Sequence, residues 1–148
     1  VFNSSVLGFT AFRWRAAYTA TKFAMEGWAD TLRLEMRDSG IDVVLIEPGP
    51  ITSELRRKAR PHFERWIDWK NSARRDVYET TILPRLYGDK TAPDSFELPA
   101  SAVTRKLAQA LEARRPKARY WVTTPTYIAG ILTPVFPTRL VDRILARL

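Results

Sequence analysis

Positions Tyr18, Lys22, Met25, Ala29, Leu32 and Met36 follow one another at steps of four and three, the spacing of one helix face. The stripe predicts a helix over 16–37. Gly40 closes it, because helices often end on a left-handed residue and glycine takes that conformation without a Cβ penalty. Gly27 falls inside the helix at a cost of about 1 kcal/mol against alanine, which marks it as a place of close helix packing, within the fold or between subunits. Ile41-Asp42-Val43-Val44-Leu45-Ile46 is a nearly continuous β-branched and aliphatic run, the pattern of a strand buried on both faces. Val1 to Val6 reads as the end of an earlier buried strand. Strand, helix and strand make a βαβ unit, and the fold class is α/β with a parallel sheet.

Beyond residue 46 the pattern alternates again. Glu47-Pro48-Gly49-Pro50-Ile51 breaks the second strand abruptly. Ser53 is placed to cap a following helix, with Glu54 in its first turn. The segment to about Tyr87 has helical spacing interrupted by Pro61 and Pro84, and its Phe63, Trp66, Ile67 and Trp69 form either an apolar lid or a closure of the core. Residues 88–99 make a polar loop. Val103, Leu107, Ala110 and Leu111 trace a helix over 102–115, ended by Pro116. Tyr120-Trp121-Val122-Thr123 is one more short strand. A terminal helix carries Leu140, Ile144 and Leu148 on one face.

Composition narrows the chemistry. The chain has 148 residues, no cysteine and one histidine, His62. Disulfides, thiolate metal sites and an ordinary serine–histidine triad are therefore outside its reach. The formal net charge of +8 permits an anionic partner. Yet basic residues alternate with acidic ones, as in Arg33-Leu34-Glu35-Met36-Arg37-Asp38, and no groove-reading or zinc pattern accompanies the five tryptophans. Solvated helix faces explain the charge better than nucleic acid does. The apolar stretch 127–136 is too short for the ~20 residues that span a bilayer; its flanking arginines leave peripheral membrane contact open, against core packing.

One pair of residues carries proton chemistry. Tyr18 and Lys22 lie one turn apart on the predicted helix, on a common face. A free tyrosine, with a pKa near ~10, trades protons poorly at neutral pH; a neighbouring ammonium favours the phenolate and makes such a pair a candidate general acid/base. Alone, the spacing is weak, and one turn of a surface helix accounts for it equally well.

Three motifs in order are more specific. Asn3-Ser4-Ser5-Val6-Leu7-Gly8, then Ala17-Tyr18-Thr19-Ala20-Thr21-Lys22-Phe23-Ala24, then Glu47-Pro48-Gly49-Pro50-Ile51 resemble the C-terminal half of the short-chain dehydrogenases/reductases. The family's serine stands thirteen positions before its tyrosine, an offset that selects Ser5 over Ser4. The resemblance covers residues 1 to about 55 firmly and the rest loosely. It implies a Rossmann-like doubly wound parallel sheet with helices on both faces, and an NAD(P)-dependent interconversion of an alcohol and a carbonyl.

By the same resemblance Tyr18 is the general acid/base, Lys22 favours its phenolate and holds the nicotinamide ribose, and Ser5 hydrogen-bonds the substrate oxygen. Pro48, Gly49 and Ile51 pass beside the nicotinamide. Ser53 stands where the family often has threonine. Phe12 and Trp14, in the loop before the helix, are candidate substrate contacts and suggest an apolar alcohol. No Gly-x-x-x-Gly-x-Gly turn and no Asn-Asn-Ala-Gly segment occurs in residues 1–148. The chain is thus expected to hold the catalytic and substrate-binding part of a single domain without the N-terminal dinucleotide-binding strands, and to be inactive alone. A full-length homo-oligomer in the cytoplasm is the expected setting. A non-catalytic interaction fragment of the same fold is the alternative.

Overall fold

A computed structural model of the chain describes residues 1–88 and 93–147. They form two units, one of Val1–Ile51 with Asp94–Leu148 and the other of Thr52–Pro93. Part of the predicted polar loop (89–92) and Leu148 of the terminal helix lie outside the described residues.

The first unit is built on three parallel strands in the order β1 (Phe2–Asn3), β2 (Leu45–Glu47) and β3 (Arg119–Trp121). Phe2 stands opposite Leu45, and Leu45, Ile46 and Glu47 stand opposite Arg119, Tyr120 and Trp121. The helix α1 (Ala16–Glu35) connects β1 to β2, and α5 (Ser101–Glu112) precedes β3. Side chains of β2 alternate between two cores. Val44 and Ile46 pack with Ala102, Ala110, Tyr120 and Val122 on the α5 face. Val43 and Leu45 pack with Ala29, and with Phe2, Leu32 and Met36, on the α1 face. Each buried aliphatic contributes about 1.5–3 kcal/mol, and a one-residue slip would exchange the two sets. The sheet is therefore covered on both sides, as a doubly wound α/β fold requires.

Element boundaries differ from the sequence expectation in physically legible ways. The first strand is only Phe2–Asn3, because Ser5 turns the chain into a short 3₁₀ helix at Val6–Gly8. Helix α1 ends at Glu35 rather than Arg37, and the chain reverses through Gly40 at φ +75°. Ile41 is exposed, and the buried run is Val43–Glu47. On α5 the buried positions are Ala102 and Ala110, while Leu107 and Leu111 face outward. The apolar stretch of the tail is helical, in α6 (Thr124–Val135), followed by α7 (Thr138–Leu145), on which Leu140 and Ile144 are exposed. No helix among the described residues is long and apolar enough to cross a membrane.

The second unit holds α2 (Leu55–Trp66), α3 (Arg75–Val77), a π turn at Tyr78–Ile82 and α4 (Leu83–Tyr87). Pro61 does not interrupt α2, since the ring removes one donor from a helix that otherwise continues. Ser53 Oγ accepts from Leu55 N at 3.5 Å, a long bond, and Glu54 rather than Ser53 is the capping residue. Arg60 Nε donates to the Leu86 carbonyl at 3.0 Å and Tyr87 Oη to Glu64 at 2.7 Å. Phe63 and Trp69 pack about Tyr78, with ring centroids 6.1 and 6.5 Å away; Trp66 and Ile67 are exposed.

Candidate active site

At the carboxyl end of β1 the chain leaves Asn3 and turns. Ser5 is extended (φ −168°, ψ 160°), and its Oγ accepts from Leu7 N at 3.2 Å. Accepting a bond leaves the hydroxyl proton free to donate. Ser4 N donates to Ile46 O and Val6 N to Pro48 O, both at 2.8 Å. The serine turn is thus stitched to the loop that leaves β2, and the two loops share one rim, as the strand order requires.

Helix α1 presents Tyr18 and Lys22 to the same end. Lys22 Nζ donates to the Asn3 carbonyl at 2.8 Å and lies 5.7 Å from the Tyr18 ring centroid, within cation–π range. Tyr18 is exposed, 38% accessible, and its hydroxyl makes no hydrogen bond among the described residues. Burial pushes the Lys22 ammonium below the usual lysine range, and the charge of Glu26, one turn on, opposes that shift.

The loop after β2 is shaped by a close contact. A Cβ on Gly49 would stand 2.1 Å from Thr123 Oγ1 and 2.7 Å from Thr126 Oγ1. Both threonines are fully buried and 3.0 Å apart through their hydroxyls, so neither can withdraw. Gly49→Ala is expected to cost about 2–3 kcal/mol by overpacking, read as a lowered urea midpoint of the intact protein; an unchanged midpoint would refute the packing argument. Beyond it Pro50 O accepts from Leu98 N at 3.1 Å, and Ile51 bridges Leu98 in parallel.

Of the residues singled out in the sequence, Ser5, Lys22, Pro48, Gly49 and Ile51 thus belong to one connected rim, with Tyr18 one turn from Lys22. Phe12 and Trp14 line an open groove of about 520 Å³ with Ala11, Arg13, Thr19 and Phe23. Ser5, Tyr18 and Lys22 are not among its lining residues. Trp14 sits at φ 63°, a backbone state that costs a bulky residue about 1–3 kcal/mol. Ser53 belongs to the second unit.

The structure adds residues that sequence spacing passed over. Arg119 Nε donates to Glu47 Oε1 at 3.1 Å, and its Nη2 to Glu26 at 3.2 Å and to both oxygens of Asp30 at 2.8 Å. Asp30 also pairs with Arg33. Burial raises the Asp30 carboxyl, but bonds from Arg119 and Arg33 overcome this and hold it below the usual range. Glu26 extends the Tyr18–Lys22 spacing by one more turn, a signal that was available. Arg119 is 72 residues from Glu47, beyond any local pattern.

The profile of the short chain dehydrogenase family matches residues 1–64. An Escherichia coli K12 protein named uncharacterized oxidoreductase YbbO is 37% identical over 147 residues, 98% of this chain and 47% of its own length. The chain belongs to the short-chain dehydrogenase/reductase family. Two other relatives are an NADPH-dependent 3-dehydrocapnine reductase of Ornithobacterium rhinotracheale, 32% identical over 86% of this chain and 42% of its own, and the mouse retinol dehydrogenase 7, 28% identical over the same shares. The chain spans about half the length of the curated relatives it matches. The match to the short-chain dehydrogenases covers β1, α1 and β2, the elements that build the rim.

Proposed function

We propose that the protein is an NAD(P)-dependent oxidoreductase that interconverts an alcohol and a carbonyl, with Tyr18 as general acid/base. The observation that carries this reading is the Lys22 Nζ bond to the Asn3 carbonyl, which holds the Tyr18–Lys22 face of α1 against the serine turn. The donor set fits the nicotinamide end of a dinucleotide. Tyr18 Oη and Lys22 Nζ are donors of the kind that ribose hydroxyls accept from, and Pro48, Gly49 and Ile51 form a turn at the carboxyl end of β2, where open α/β sheets bind ligands. When bound, the nicotinamide supplies or accepts the hydride.

The chain's own residues handle the proton and the developing charge. In reduction Tyr18 Oη gives its proton to the substrate oxygen; in oxidation it takes one from the alcohol. Lys22 keeps positive charge beside the phenol. Ser5 Oγ donates to the substrate oxygen and stabilises negative charge on it. The names of two relatives, one an NADPH-dependent reductase and one a retinol dehydrogenase, support carbonyl–alcohol chemistry and an apolar substrate. Exposed Phe12 and Trp14 are proposed to contact that substrate, and Ser53 to contribute to the cofactor site. A Cβ on Gly27 would meet nothing within 4 Å among the described residues, so the close packing expected there is not made within them, and Gly27 is proposed as a subunit contact.

The test is a nicotinamide-absorbance assay of the intact protein with NADH and NADPH, comparing long-chain with short polar alcohols and their carbonyl forms. Turnover should favour the apolar set, and Ser5→Ala should lower kcat by about 10²–10³. Absence of turnover with every alcohol and carbonyl, or a Ser5→Ala variant as fast as the parent, would overturn the reading.

A further inference from the structure

Glu47 is the last residue of β2, and its odd position in the strand sends its side chain to the α1 face, where Glu26 lies. Both are buried, Glu47 fully and Glu26 to 6% accessibility. Each receives one bond from Arg119, whose charge is also drawn on by Asp30. Arg33 bonds Asp30 and the Val43 carbonyl, and among the described residues neither Glu26 nor Glu47, and the Lys22 ammonium is bonded to the Asn3 carbonyl. Two neighbouring buried carboxylates therefore share a fraction of one guanidinium, and like charges so placed do not both ionise.

Each of the two carboxyls also keeps one unsatisfied oxygen. Among the described residues, the buried polar side-chain atoms without a partner are Ser4 Oγ, Glu26 Oε1, Glu47 Oε2, Trp121 Nε1 and Thr19 Oγ1. A Cβ on Gly8 would stand 2.8 Å from both Glu26 Oε1 and Ser4 Oγ, so these two are neighbours. The Glu26 carboxyl neighbours Glu47, and Trp121 stands opposite it in the sheet. A buried polar atom left unpaired forfeits the hydrogen bonds it would make to water. One proton between the carboxyls turns two orphaned acceptors into a donor and an acceptor.

We infer that Glu26 and Glu47 share a single buried proton, and that this proton fastens α1, which carries Tyr18 and Lys22, to the base of the Pro48-Gly49 loop. Burial first, and the Glu26 charge second, push the Glu47 carboxyl up to about 8, with Arg119 opposing. The folded state therefore holds a proton that the unfolded chain, with an ordinary glutamate near 4.5, has released. Stability from this pair is fully present below the unfolded value and is lost as pH rises towards about 8.

Infrared spectroscopy of the intact protein reads the proton directly, through the carbonyl stretch of a protonated acid, independently of catalysis. The band should be present at about pH 6 and gone at about pH 10. It should be missing at both in Glu47→Gln; in Glu26→Gln, where burial still acts on Glu47 but the like charge is gone, it should disappear at a lower pH than in the parent. The fall in Tm between those pH values should flatten in either variant. No such band at the lower pH, a band that survives Glu47→Gln or titrates unmoved in Glu26→Gln, or an undiminished fall in Tm in both would overturn the inference.

Discussion

Tyr18→Phe is expected to lower kcat of the intact protein by about 10²–10⁴, the range for loss of a positioned general acid/base. The substitution is selective in its physics. The ring stays, and with it the cation–π contact to Lys22 at 5.7 Å. The Lys22 bond to Asn3 does not involve the phenol, and the lost hydroxyl had no hydrogen-bond partner among the described residues. Stability should therefore stay within about 0.5 kcal/mol of the parent, as for surface changes generally. KM for the nicotinamide cofactor should rise by about tenfold at most, the loss of one hydrogen bond to the ribose, against the larger fall in kcat from the lost proton transfer. Steady-state kinetics alongside a thermal melt checks both halves. Turnover within tenfold of the parent would remove Tyr18 from the proposed chemistry, whereas a large drop in Tm would mean that the lost rate reports on folding.

How far the sequence revealed this arrangement depends on the range of each signal. Local patterns carried most of the first unit: the Tyr18–Met36 stripe lies on α1 and its cap, Gly40 takes the left-handed turn, and the buried Val43–Ile46 run leads into the strand Leu45–Glu47, packed on both faces. The shared rim was also legible, because two loops at the carboxyl ends of parallel strands must lie together. Boundaries slipped where a side chain intervened, as when Ser5 capped a 3₁₀ turn and cut the first strand to two residues. The charge network was missed for a different reason. Glu47 continued an apolar strand and looked like the start of a loop, and the arginine that justifies burying it comes from β3, distant in sequence. Buried ions are paired by topology, which hydrophobic spacing does not encode. The aromatic positions show the same limit. Phe12 and Trp14 suggested a pocket wall by residue type alone, and their groove is formed with the flank of α1 that carries Thr19 and Phe23.

Arg119→Met should be the most destabilising change to the network, and its cost should depend on pH. Methionine retains much of the apolar stem volume but removes a guanidinium bonded to three carboxylates. Breaking a buried ion pair by deleting one partner costs about 3–5 kcal/mol. The side chain is 34% accessible, which places the expectation at the lower end, about 3 kcal/mol near pH 8. For a domain of this size that is a fall in Tm of about 6–12 °C. Near pH 5 the loss should be smaller, because the Glu47 carboxyl, pushed up by burial, keeps its proton there and needs no cation. Without Arg119 the folded Glu47 carboxyl binds its proton more tightly still, so by linkage stability declines more steeply with rising pH than in the parent. Combining Arg119→Met with Glu47→Gln should recover part of the loss at pH 8, since only one buried carboxylate then lacks its cation. Urea denaturation of the four proteins at the two pH values measures the coupling as a double-mutant cycle. Equal losses at both pH values, or no recovery in the double variant, would show that Arg119 acts through its packing and not through its charge.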